Sequence, residues 1–132
     1  MRHDILDDLS KLELDVMDTV WSLGECSTAD VIGAYQSKRT LADTTIKTVL
    51  SNIRKKGYIE LVPTTERGYR FRATVSRDSV AGRSLRQVVS KLFGGSPRQA
   101  ILHLLNEERI SKDDMREIQR MLDEHKQGGR KR

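Results

Sequence analysis

Hydrophobic residues recur at helical spacing in three successive segments of the amino-terminal half of the chain. The first predicted helix begins at Ser10, which opens a capping box, and ends near Leu23. This helix is apolar on two sides, which indicates a central position in the core. A shorter helix is predicted to end near Ser37, and a third spans about residues 43–56 with its aliphatic side chains facing inward.

The hydrophobic period then changes from that of a helix to that of a strand. Apolar and polar side chains alternate over residues 58–62 and again over 68–75. In the second run Tyr69 and Phe71 are predicted to share one face. The connection that begins at Pro63 makes the two runs an antiparallel hairpin. Three helices followed by a hairpin are the order of a winged helix-turn-helix.

Three further helices are predicted after residue 75, and each has a single apolar stripe. Short helices of this kind need another surface to cover them, and the simplest is a second copy of the same segment. The alternative is that they fold back on the amino-terminal domain. The side chains expected at the dimer interface are Leu85, Val88, Val89, Leu92, Phe93, Ile101, Leu104, Leu105, Ile118 and Leu122.

These patterns predict a mainly α fold with a small β-hairpin, a winged helix-turn-helix followed by a helical dimerisation region. The expected domains are a DNA-binding domain at 1–75, the dimerisation region at 76–127 and a disordered basic tail at 128–132. Hydrophobic residues make up 36% of the chain, which is enough for a folded protein despite 33% charged residues.

The positive charge of the chain is concentrated in its middle. The net charge is +5, and residues 36–75 hold nine Lys or Arg against three acidic residues. A basic block of this kind suits a polyanion, although a solvated basic face is the alternative. The hydroxyl and amide side chains on the outer face of the third helix suit contacts with base edges in the major groove.

Two sets of candidate DNA contacts follow from this interpretation. The candidate base contacts are Thr44, Thr45, Lys47, Thr48 and Asn52. The candidate phosphate contacts are Arg54, Lys55, Lys56, Arg67, Arg70 and Arg72. The function class that competes with DNA binding is a winged-helix protein-interaction module that binds an acidic partner.

The sequence contains no arrangement typical of an enzyme or of a metal site. The three histidines are scattered, and the one cysteine, Cys26, is predicted to lie in a turn between helices. A single cysteine forms no intrachain disulfide, which fits a reducing, cytoplasmic setting. No segment approaches the ~20 apolar residues of a membrane span. We therefore expect neither catalysis nor a cofactor.

Six segments together resemble, in order and spacing, the BlaI/MecI family of penicillinase repressors. They are Leu9–Met17, Val20–Glu25, Leu41–Leu50, Lys55–Ile59, Arg67–Phe71 and Leu92–Ser96. The resemblance covers about residues 9–125 and implies a homodimeric winged-helix repressor that binds a palindromic operator. It also implies a sensor protease as a partner, since one is often encoded beside such repressors.

This chain departs from the family pattern at two places. Antibiotic-responsive members are cleaved at an Asn-Phe bond, whereas His103-Leu104 stands at the corresponding place here. Asp43 occupies a position where an aromatic residue is common, and it is expected either to cap the third helix or to change operator preference. Release from DNA by proteolysis, by a ligand or by oxidation of Cys26 all stay open at this point.

Overall fold

The computed structural model describes residues 6–36, 40–65, 68–107 and 109–130. Its elements are α1 (Lys11–Leu23), β1 (Cys26–Ser27), α2 (Thr28–Gln36), α3 (Asp43–Lys55), β2 (Ile59–Val62), β3 (Arg70–Ala73), α4 (Arg77–Leu92), α5 (Pro97–Glu107) and α6 (Lys112–Arg130). The mainly helical fold with a small antiparallel sheet is therefore confirmed. We call β2, β3 and the chain between them the wing.

The predicted capping box at the start of α1 is present. The Ser10 hydroxyl accepts a hydrogen bond from the Glu13 N–H at 3.2 Å, and the Glu13 carboxylate accepts one from the Ser10 N–H at 2.7 Å. Gly24, with φ 79°, follows the last residue of the helix. These contacts satisfy backbone groups that a helix end leaves without an intrahelical partner.

Among the described residues the sheet has three strands, in the order β1-β3-β2. The wing strands pair in antiparallel register, with Leu61 opposite Phe71. The added strand β1 places Cys26 opposite Phe71 and Ser27 opposite Arg70. The prediction that Cys26 lies in a turn is therefore wrong. A strand of two residues is too short to show the alternation on which sequence-based assignment depends.

The hydrophobic core of the amino-terminal part lies between α1, α3 and the sheet. Val16, Ile46, Ile53 and Tyr58 have no exposed surface. Val80 of α4 packs into the same core. The first turns of α4, as far as Leu85, accordingly belong to the same compact unit as α1, α3 and the sheet.

A hydrogen-bond network connects residues 6–8 to this unit. The Tyr58 hydroxyl donates to the Asp7 carbonyl at 2.6 Å and accepts from the Arg83 guanidinium at 2.8 Å. Arg83 also donates to the Leu6 carbonyl at 2.6 Å. The start of the described chain, the end of α3 and the beginning of α4 are thereby held together.

The second compact unit, Arg86–Arg132, contains the rest of α4 together with α5 and α6. Phe93 and His103 meet edge to face within it, with ring centroids 5.4 Å apart. The helix α6 continues to Arg130, beyond the end expected at residue 127, and the last two residues of the predicted tail lie outside the described residues.

Candidate nucleic-acid interface

The helix α3 has a buried aliphatic side and an exposed polar side. Ile46, Val49, Leu50 and Ile53 are buried against the core. The exposed residues of the opposite side are Thr44, Lys47, Thr48, Ser51, Asn52, Arg54 and Lys55. We call this set the α3 outer face. It contains no aliphatic or aromatic residue, and it includes four of the five candidate base contacts, while Thr45 is half-buried at its edge.

One hydroxyl of the α3 outer face has its proton already engaged. The Thr48 hydroxyl donates to the Thr44 carbonyl at 2.9 Å, one helical turn earlier. Its oxygen keeps lone pairs that accept hydrogen bonds, and its methyl group stays exposed. In this rotamer Thr48 is suited to an amino group on a base edge or to the methyl group of thymine.

The turn between α2 and α3 is held by a residue that sequence reasoning did not single out. The Gln36 amide donates to the Leu41 carbonyl and, at 3.3 Å, to the Asp43 carboxylate. Its oxygen accepts from the Leu41 N–H at 3.4 Å. Periodicity gives no signal for a side chain that bonds to the backbone of a turn. Gln36 thus fixes the start of α3 relative to α2.

Asp43 does not act as the cap of α3. The N-cap residue is Ala42, which makes no side-chain hydrogen bond, and Asp43 lies in the first turn. A carboxylate in that turn is favourable because the amino end of a helix carries partial positive charge. Of the two roles expected for Asp43, the cap is therefore wrong.

Three cationic candidate DNA contacts on α3 are exposed and carry no ion pair within the described part of the chain. Lys47, Arg54 and Lys55 all belong to the α3 outer face, and Arg54 and Lys55 lie in its last turn. Cations near the carboxyl end of a helix also interact favourably with its dipole. These side chains are available to a polyanion without breaking an existing contact.

Lys56, another candidate phosphate contact, points to the opposite side, towards α1. Its ammonium lies 2.6 Å from the Glu13 carboxylate and donates to the Asp8 carbonyl at 2.9 Å. Burial raises the pKa of Glu13, but the hydrogen bonds from Lys56 and Ser10 outweigh it and hold that pKa below its usual value. Lys56 therefore connects α3 to α1, a role that its position in the sequence did not reveal.

The wing arginines differ in how firmly they are held. Arg70 contacts the Glu25 carboxylate at 3.4 Å and the Glu25 carbonyl at 3.2 Å, and it lies 3.8 Å from the Asp30 carboxylate. Arg72 pairs with Glu60 at 2.9 Å across the strands, and both side chains are at least half exposed. An exposed pair of this kind contributes little net stability. Arg67 lies outside the described residues.

The structure also corrects the expectation for Tyr69. The alternation predicts that Tyr69 shares a face with Phe71, yet Phe71 is 3% exposed and Tyr69 is 69% exposed. The reason is that β3 begins at Arg70, so Tyr69 precedes the paired strand and follows Gly68, whose φ is 83°. Tyr69 thus adds an exposed aromatic side chain to the wing, whereas the sequence analysis had predicted it on the same face as Phe71.

Cys26 is poorly suited to sensing oxidants. The side chain is 1% exposed, and burial followed by the nearby Asp30 carboxylate raises the pKa of its thiol to about 11. Because the thiolate is the reactive form, such a cysteine reacts slowly at neutral pH. Among the three routes of release left open by the sequence, oxidation of Cys26 is the least favoured.

The candidate dimerisation residues lie on α4 or directly after it, on α5 and on α6. Eight are exposed, and the other two, Val89 and Phe93, are half-buried. Leu102, Met115 and Met121 add further exposed apolar surface in the same unit. Two of the eight exposed candidates, Ile118 and Leu122, lie on α6 with Met115 and Met121.

A family comparison decides between the function classes. The model of the penicillinase repressor family matches residues 9–124. The chain belongs to the penicillinase repressor family. Members of this family are transcriptional repressors, and the resemblance inferred from the sequence is thereby confirmed.

Individual relatives of this penicillinase repressor family member agree with that assignment. The transcriptional regulator BlaI of Mycobacterium tuberculosis is 34% identical over 122 residues, which are 91% of this chain and 86% of the relative. The penicillinase repressor of Staphylococcus aureus is 22% identical over 117 residues, 89% of this chain and 92% of the relative. The reduced form of MarR from E. coli is a structural neighbour with a TM-score of 0.46 and 16% identity, over 89% of this chain and 77% of MarR.

Two searches of the described residues gave negative results. None of the described helices is both long and apolar enough to cross a lipid bilayer. The described His, Cys, Asp and Glu side chains form no group of three or more that would hold a metal ion.

Proposed function

We propose that this family member is a sequence-specific DNA-binding repressor that acts as a homodimer on a palindromic operator. The observation that carries the proposal is the α3 outer face, whose side chains are hydroxyl, amide and cationic groups, with the exposed acidic residue Asp43 confined to the first turn of the helix. Such groups suit base edges and phosphates. A protein-binding surface would favour larger aromatic or apolar anchors at its centre, which this face lacks.

The contacts of the α3 outer face divide into two kinds. Thr44, Thr48 and Asn52 face outward with short polar side chains and are proposed to contact base edges in the major groove. The unpaired cations Lys47, Arg54 and Lys55 are proposed to bind phosphates, and Lys47 also reaches towards bases. On the wing, Arg72 is proposed to exchange Glu60 for a phosphate.

The homodimer is proposed to form through the second compact unit. Leu92 is 76% exposed, and Ile101 and Leu104 are each 53% exposed. Large apolar side chains exposed in this number within one unit favour an interaction site, and two-fold symmetry is the commonest arrangement for a second copy. The two α3 helices would then enter successive major grooves about one helical turn apart, or a small multiple of it. A cytoplasmic location and a sensor protease as upstream partner belong to the same proposal.

The test is enrichment of genomic fragments by the purified protein, followed by titration of an enriched fragment at several salt concentrations. We expect one or a few fragments with an inverted repeat. Their affinity should fall steeply with salt because each phosphate contact releases counterions. Enrichment no better than for scrambled DNA, or an affinity independent of salt, would overturn the proposal. Retained binding to an acidic protein would then favour the interaction-module alternative.

A further inference from the structure

A groove of about 180 Å³ lies between α3 and the sheet, within the first compact unit. Its floor is formed by Leu50, Ile59 and Phe71, which also belong to the hydrophobic core. Leu61 and Tyr69 of the wing also line it, and both are exposed. The groove is therefore an apolar depression that opens to solvent beside the α3 outer face.

The polar groups that line the groove are cations and hydroxyls. Lys47 and Arg54 lie seven positions apart on α3, so they stand on one side of the helix two turns apart. Neither forms an ion pair within the described ranges. Thr28 and Ser51 contribute hydroxyl groups, and none of the lining residues is acidic. The charge of the groove therefore favours an anionic ligand.

We propose that this groove binds a small aromatic carboxylate, with its ring on the apolar floor and its carboxylate paired with Arg54 and Lys47. The volume supports the size of the ligand. An apolar cavity of about 150 Å³ holds one benzene ring, whereas drug-sized ligands need about 300 Å³ or more. A guanidinium suits the charged group because it pairs with a carboxylate through two parallel hydrogen bonds.

The consequence for DNA binding rests on the proposed function. Lys47 and Arg54 are proposed to bind phosphates, so a carboxylate that occupies them competes with the operator. Binding of the ligand and of DNA would be coupled in both directions, each lowering the affinity of the other by the same factor. The groove thus supplies a ligand-dependent route of release that needs neither proteolysis nor oxidation.

Benzoate is the probe for the first experiment, with amide chemical shifts of the full chain as the measurement. We expect saturable shifts confined to residues around the groove. Benzyl alcohol, which has the same ring without the charge, should bind about fivefold more weakly or worse. Equal binding of the two compounds would overturn the assignment of an anion site. No saturable shift with benzoate at any concentration would overturn the groove itself.

Two variants, each lacking one exposed cation, test whether benzoate binds in the groove. Arg54→Gln removes one exposed cation at the groove and should weaken benzoate binding about fivefold. Lys11→Gln removes an exposed cation of α1 in the same unit, away from the groove, and should leave benzoate binding unchanged. Equal loss in the two variants, or no loss in Arg54→Gln, would overturn the site.

Competition between benzoate and DNA distinguishes a failure of the groove proposal from a failure of the proposed function. Benzoate should lower the affinity of the wild type and of Lys11→Gln for an enriched fragment, and should do so less for Arg54→Gln. DNA binding that benzoate leaves unchanged would overturn the regulatory part. Specific benzoate binding by a protein that binds no fragment would overturn the proposed function and support the groove.

Discussion

The two compact units differ in where their apolar side chains lie. In the first unit Ile46, Ile53 and Tyr58 have no exposed surface, and the core is closed by the sheet and by the start of α4. In the second unit Leu92 and Ile101 are more than half exposed. The first unit therefore buries its own core, whereas the second leaves large apolar side chains exposed, which is the surface on which the proposed homodimer rests.

The cations of α3, in the first unit, and of α6, in the second, differ in whether they are paired. On α3 the cations Lys47, Arg54 and Lys55 have no ion-pair partner in the described part of the chain. On α6 Arg120 pairs with both Glu117 and Glu124 along the helix. The α3 outer face and the exposed apolar side chains of the second unit are thus the two surfaces for which we propose binding partners, DNA and a second copy of the chain.

The largest expected effect is on the second unit. We expect Leu92→Glu to give a monomer in analytical ultracentrifugation, because a carboxylate is costly to bury at an apolar interface. Loss of the second α3 helix should lower operator affinity by about 10²- to 10⁴-fold. Ser90→Glu, at an exposed polar position of the same helix, is the control and should stay dimeric. An unchanged dimer in Leu92→Glu would remove this surface from the interface.

A substitution in the core of the first unit tests whether that core is closed and well packed. Ile53→Ala removes a side chain with no exposed surface and should lower the free energy of unfolding by about 2–5 kcal/mol in denaturant titrations. Leu23→Ala, at an exposed position of α1, should cost far less. Similar losses in the two variants would mean that the core of the first unit is not packed as described.

The contact between Glu13 and Lys56 gives the first unit a dependence on pH. The pKa of Glu13 is lowered on folding, so its contribution to stability is present above the unfolded value of about 4.3 and is lost as the pH falls through the folded value. Glu13→Gln should lower the free energy of unfolding at neutral pH by about 1–2 kcal/mol. The deficit should shrink in acid. A deficit that is the same at both pH values would contradict the assignment.

The smallest expected effect is a change in the salt dependence of DNA binding, which should differ between an unpaired cation of α3 and a paired cation of α6. Lys55→Gln should weaken binding to every DNA sequence and reduce the slope of log affinity against log salt by about 0.9, the value of one phosphate contact. Arg120→Gln removes a cation that is already paired on α6 and should leave the slope unchanged. Fluorescence anisotropy at several salt concentrations measures both. Equal slopes in the two variants would argue against a phosphate contact at Lys55.

Periodicity and capping predicted most of the fold because both depend on local sequence. The ends of α1 and α3 followed from Ser10, Gly24 and the aliphatic stripe of α3. The strand β1 was missed because its pairing with β3 is long-range and only two residues long. The packing of Val80, near the start of α4, against the core of the first unit depends on tertiary contacts, so periodicity gave no signal for it.

The candidate interface was predictable in its residue types but not in the partners of its cations. The polar face of α3 follows directly from helical spacing. That Lys56 turns towards Glu13, and Arg70 towards Glu25, depends on residues brought together from distant segments. Among the described cationic candidates, Lys56, Arg70 and Arg72 are paired, whereas Lys47, Arg54 and Lys55 of α3 carry no ion pair.

The short strand β1 has a practical consequence for measuring motion in the wing. It places the single thiol of the chain, Cys26, opposite Phe71 in the middle of the sheet. A thiol reagent reaches that sulfur only when the sheet opens, so the rate of labelling of the native protein reports the free energy of this local opening. Labelling of this single thiol thus measures how often the sheet beside α3 opens.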